Sequence, residues 1–73
     1  SERPPREVSP LAVLTRAELT VATLVATGAS NAEIAAQLVL AEGTVKNHVS
    51  ALLHKLDQPD RTRLALHLHR YLG

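Results

Sequence analysis

Two reciprocal capping boxes, Thr15-Arg16-Ala17-Glu18 and Ser30-Asn31-Ala32-Glu33, constrain this chain more than any other feature. In such a box the N-cap hydroxyl accepts from the amide three residues on, and the glutamate carboxylate accepts in return from the N-cap amide. Both amides would otherwise lack partners at a helix start. The first box opens a helix whose Val21, Ala22, Leu24 and Val25 make an apolar stripe, with Leu14 placed ahead of the cap for a hydrophobic staple. Gly28 can take the positive φ that ends it. The second opens a short helix through Leu38, apolar along Ile34, Ala35 and Leu38.

Val39-Leu40-Ala41 holds neither glycine nor proline, so the connection onward is expected to be short and tight. A third helix, from about Glu42 to Leu56, follows from Val45, Val49, Leu52, Leu53 and Leu56, which fall on one face. The opposite face carries Gly43, Lys46, Asn47, Ser50 and His54, with Lys55 at its edge. Asp57-Gln58-Pro59 breaks the helix, and Asp60 is positioned to cap a fourth, Arg61 to about Leu72. Leu64, Ala65, Leu68 and Leu72 are its expected buried positions. The fold class predicted is all-α, a four-helix domain over residues 14–73, with residues 1–13 as a proline-bearing linker or tail.

Composition supports a helical core and limits its nature. A 73-residue chain is one domain, close to the size at which a hydrophobic core only just outweighs conformational entropy. With no cysteine, neither a disulfide nor a thiolate metal site can staple it. The core must be aliphatic, and a 45% hydrophobic content rich in Leu, Ala and Val suits helices. No apolar run reaches the roughly 18–20 residues that cross a bilayer, and no secretory signal is visible, so no membrane association and a cytoplasmic location are expected. The formal net charge is +1, but it is distributed unevenly. Up to Leu40, Arg3, Arg6 and Arg16 stand against Glu2, Glu7, Glu18 and Glu33; beyond it, Lys46, Lys55, Arg61, Arg63 and Arg70 outnumber Glu42, Asp57 and Asp60. Positive charge is biased to the half that carries the third helix.

A short helix, a tight turn and a longer helix with a polar outer face make a helix-turn-helix, whose second member lies in the major groove of DNA. Base edges are met by donors and acceptors spaced i, i+3, i+4 and i+7, one side of the cylinder. Lys46, Asn47 and Ser50 hold such positions. Lysine donates to guanine O6 or N7, asparagine pairs with adenine, and serine is permissive. Thr44, at the helix start, can donate to a phosphate that the helix N-terminus also attracts.

Leu14-Thr15, Glu18, Gly28, Ser30-Asn31, Glu33-Ile34-Ala35 and Leu38, followed by Glu42-Gly43-Thr44-Val45-Lys46-Asn47-His48-Val49, resemble the LuxR-type (GerE) helix-turn-helix. This is the output domain of NarL/FixJ-class response regulators and of quorum-sensing regulators, and the resemblance runs from about Leu14 to Leu72. It implies that the second and third helices form the reading unit, with Lys46, Asn47 and Ser50 at the bases. It implies phosphate contacts at Thr44, His48, Lys55, Asn31 and Arg61, and a homodimer surface on the fourth helix between Arg63 and Tyr71, including Leu66, His67 and Arg70. Double-stranded DNA and a second copy are the implied partners, with RNA polymerase a further candidate. Phosphorylation of a receiver domain is the family's commonest control, and the prolines of Ser1 to Pro10 suit a tether to one. Two departures stand out. Ala32 replaces a usual basic residue, removing one phosphate contact, and Ala41 replaces the usual serine N-cap of the reading helix. With Gly43 in the same turn, that end is expected to fray without DNA.

His48 fits a packed bridge to a neighbouring helix as well as it fits a phosphate contact. Leu66 on the outer side of the fourth helix signals a partner helix or a single exposed leucine. His67 and His69 are two residues apart and diverge on a helix, so no metal site is expected. No nucleophile, base or cofactor motif supports an enzyme, and a domain this small offers no pocket for a small-molecule ligand. A protein–protein module on the same scaffold is the main rival, and it would show neither salt dependence nor reliance on Lys46 and Asn47.

Overall fold

The computed structural model describes residues 10–72. A 3-10 turn at Pro10–Val13 leads into α1 (Arg16–Ala26), α2 (Asn31–Leu38), α3 (Glu42–Lys55) and α4 (Arg61–Leu72). The described residues contain no strand. Both capping boxes form. The Thr15 amide donates to Glu18 Oε1 at 2.9 Å, and the Glu18 amide donates to Thr15 Oγ1 at 3.1 Å. The same pair links Ser30 and Glu33, at 2.8 and 3.1 Å. Asp60 caps α4, its Oδ1 accepting from the Arg63 amide at 2.8 Å.

The first three helices all end through one left-handed residue: Gly28 (φ 91°), Val39 (φ 56°) and Asp57 (φ 54°). In each case the next amide reaches back to an open carbonyl: Ala29 to Leu24, Leu40 to Ala35, and Gln58 to Leu53. This satisfies carbonyls left over at a helix C-terminus and turns the chain sharply. Gly28 is the residue expected to do so; a β-branched valine is not.

The four helices close on a single aliphatic core. Val21, Ala22 and Val25 of α1 meet Ile34 and Ala35 of α2, Val45, Val49, Leu52 and the adjoining Leu56 at the end of α3, and Leu64 and Leu68 of α4. α1 is the central support, packing on both α3 and α4, while α2 lies against α3. Two expectations are corrected. Leu11, placed in the tail by the sequence, is buried in the core, because the 3-10 turn folds it back onto the aliphatic cluster. Leu72, expected to be buried, is 37% exposed, since Leu64 and Leu68 already fill the space and the last turn of α4 runs past it.

Candidate nucleic-acid interface

Burial of Val45, Val49 and Leu52 turns the opposite side of α3 outward. Gly43, Lys46, Asn47, Ser50 and His54 are all exposed there, so the structure brings the three expected base-contacting side chains onto one free face. α3 has 14 residues, about 21 Å at 1.5 Å per residue, and nothing but the tight turn at Val39 to Ala41 separates it from α2. Thr44 is exposed in its first turn, and His48 is half-buried on the flank, between the two roles open to it. The helix starts at Ala41 with no side-chain cap, as its methyl group dictates. The Thr44 and Val45 amides fall back on the Ala41 carbonyl, at 3.1 and 3.2 Å.

Three of the expected phosphate contacts are engaged within the domain. Lys55 Nζ, at the C-terminal end of α3, donates to Glu18 Oε1 at 2.7 Å and lies 3.5 Å from the Val13 carbonyl oxygen. Glu18 is 7% exposed and is the one charged residue buried among the described residues. The Lys55 hydrogen bond, and next that from the Thr15 amide, hold its carboxyl below the ordinary pKa of 4.5, against the opposing effect of burial. Arg61, the first residue of α4, donates to Asn31 Oδ1 at 2.5 Å and to the Ala29 carbonyl oxygen at 2.6 Å. Asn31 and Arg61 thus meet each other, tying the N-terminus of α2 to that of α4. Sequence spacing could identify Glu18 as a capping residue but could not reveal that Lys55, distant in sequence, shares the same oxygen.

On α4, Arg63, Leu66 and Arg70 are exposed and His67 is half-buried, its ring edge-on to Tyr71 with centroids 5.1 Å apart. Leu66 is 66% exposed at the margin of an open groove of about 320 Å³, lined in part by Val25, Ala26 and Ala65. No group of three or more His, Cys, Asp or Glu residues capable of holding a metal ion occurs among the described residues.

Residues 12–68 match the family of bacterial regulatory proteins called the luxR family. The chain belongs to that family. It is a LuxR-type helix-turn-helix DNA-binding domain, with α2 and α3 as its two members. It is 55% identical over 58 residues to the uncharacterized transcriptional regulatory protein YhcZ of Bacillus subtilis, which covers 80% of this chain and 27% of that protein. It is 44% identical over 57 residues to the transcriptional regulatory protein LiaR of the same organism, 78% of this chain and 27% of that one. With the DNA-binding transcriptional activator DevR/DosR of Mycobacterium tuberculosis the identity is 47% over 57 residues, 78% of this chain and 26% of that protein. The LuxR-type chain therefore spans about a quarter of the length of these relatives. Among the described residues no helix is long and apolar enough to cross a membrane.

Proposed function

We propose that this domain is the output unit of a bacterial response regulator and reads a specific double-stranded DNA sequence by laying α3 in the major groove. The observation that carries this is the free face of Lys46, Asn47 and Ser50 on a helix whose other side is locked into the core. A groove about 12 Å wide admits such a helix, and those side chains supply donors and acceptors at its base edges. Thr44 and His48 flank that face and would meet phosphate, with Asn31 and Arg61 at the edge of the duplex. Similarity to transcriptional regulatory proteins and to a nitrate/nitrite response regulator protein homolog of Haemophilus influenzae supports the regulator assignment. Such a role belongs in the cytoplasm, where the domain would also meet RNA polymerase at a promoter.

Two copies joined through α4 would place two reading helices about one helical turn apart on a two-part site. The exposed Leu66 and the apolar groove beside it support this face as the contact. The test of the reading role is an anisotropy titration with Lys46→Ala and Asn47→Ala against a duplex selected from a randomised pool. Each variant is expected to lose about 1–3 kcal/mol of discrimination at one base position while remaining helical by circular dichroism. Unchanged selectivity in both variants would reject α3 as the reading helix.

A further inference from the structure

Lys55 lies off the reading face. At about 100° per residue, it sits roughly 130° around α3 from the centre of the Lys46, Asn47 and Ser50 patch. Its ammonium is directed to the buried Glu18 carboxylate, whose Oε1 also accepts from the Thr15 amide at the start of α1. One oxygen therefore joins the end of α3 to the beginning of α1. The Val13 carbonyl oxygen, at 3.5 Å, brings in the end of the 3-10 turn through which the chain enters the domain. The other end of α3 has no side-chain cap, so the polar anchoring of this helix is concentrated at its C-terminus.

We propose that Lys55 is a positioning residue, which through Glu18 sets the angle at which α3 presents Lys46, Asn47 and Ser50, and that it does not contact phosphate. The inference rests on the assignment of α3 as the reading helix. Hydrogen bonds to base edges weaken steeply with misalignment, so a small tilt about the C-terminal anchor costs selectivity. Phosphate contacts elsewhere on the domain tolerate it better, because they depend on charge more than on angle.

The two roles of Lys55 predict opposite results for Glu18→Gln. The glutamine keeps an acceptor for the Thr15 amide, so the cap survives, but it removes the charge that holds Lys55. If Lys55 bound phosphate, freeing it and removing a negative charge would tighten binding to any duplex. If Lys55 positions α3, selectivity falls instead. The experiment is an anisotropy titration of the chain, of Glu18→Gln, of Lys55→Met and of the double variant. The probes are a duplex selected from a randomised pool and poly(dI-dC), across a salt series, at a temperature where circular dichroism shows each variant helical.

The expected result is a loss of roughly tenfold in the ratio of selected to non-selected affinity for each single variant, with the double variant no worse than either. The salt slope should stay that of the unaltered chain. A slope smaller by about 0.9 in Lys55→Met, together with full selectivity in Glu18→Gln, would overturn the proposal in favour of a phosphate contact. Should Lys55→Met fail to fold, Glu18→Gln alone still separates the two roles by the sign of its effect. An unaltered chain with no preference for the selected duplex would remove the reading assignment itself, whereas a selective chain with additive variants would remove only the positioning role.

Discussion

Val39 holds the left-handed region at φ 56° and ψ 51°, where a β-branched side chain crowds its own backbone, and it does so 89% exposed. The conformation costs roughly 1–2 kcal/mol for a residue with a Cβ, and so exposed a side chain recovers little of it by packing. The turn is kept because Leu40 must reach the Ala35 carbonyl and because Val45 and Ile34 must both enter the core. Val39→Gly removes the strain but adds freedom to the unfolded chain, an offset of about 0.4–1 kcal/mol. A net gain of roughly 0.5–1 kcal/mol is expected, read as a higher urea midpoint with unchanged slope. A lower midpoint would show that the valine contributes something its exposure does not suggest. Asp57 makes the same turn more cheaply, since aspartate is enriched in the left-handed region.

Among the elements, α3 is the least secured where it matters most. Its N-cap residue, Ala41, has the extended backbone of a cap (φ −71°, ψ 147°) but no oxygen to offer, while α1, α2 and α4 each start on an accepting side chain. Gly43 in the same turn lowers helix propensity further. Amide exchange at Glu42, Gly43, Thr44 and Val45 is therefore expected to be faster than at Val49 and Leu52 in the free domain. Ala41→Ser should slow it and stabilise the fold by about 1 kcal/mol, measured by exchange NMR and by urea denaturation. Equal protection along α3, unmoved by the serine, would mean that packing of Val45 alone holds the first turn. Since Lys46 and Asn47 lie just beyond that turn, DNA binding would include the cost of ordering it.

For the whole molecule, a domain with net charge +1 is a weak electrostatic partner for DNA, and the proposed pairing of two copies would raise its affinity. Arg63, Leu66 and Arg70 share one outward stripe of α4, with an apolar groove beside Leu66. Leu66→Lys should abolish that pairing and reduce affinity for a two-part site by about 100-fold, leaving affinity for a half-site intact. Sedimentation velocity with the two-part duplex measures this directly; two copies still bound to it with unchanged affinity would move the dimer surface off α4.

How much of this was legible in advance depended on the range of the interaction. Capping boxes at Thr15 and Ser30, the left-handed Gly28, the Asp60 cap and the missing cap at Ala41 are local hydrogen-bond chemistry, complete within six residues, so the sequence by itself determined them and with them the four helices. The apolar spacing of α3 determined equally which of its faces would be free, and hence Lys46, Asn47 and Ser50. Tertiary structure alone decided the rest. It folded Leu11 into the core, left Leu72 outside it, and forced Val39 into a turn its side chain disfavours. It also drew Lys55 to Glu18 and Arg61 to Asn31, because only packing of α1 between α3 and α4 brings those charges and amides within hydrogen-bond reach. A carboxylate that closes a local cap has a second lone pair to give, and which cation takes it depends on where the chain returns.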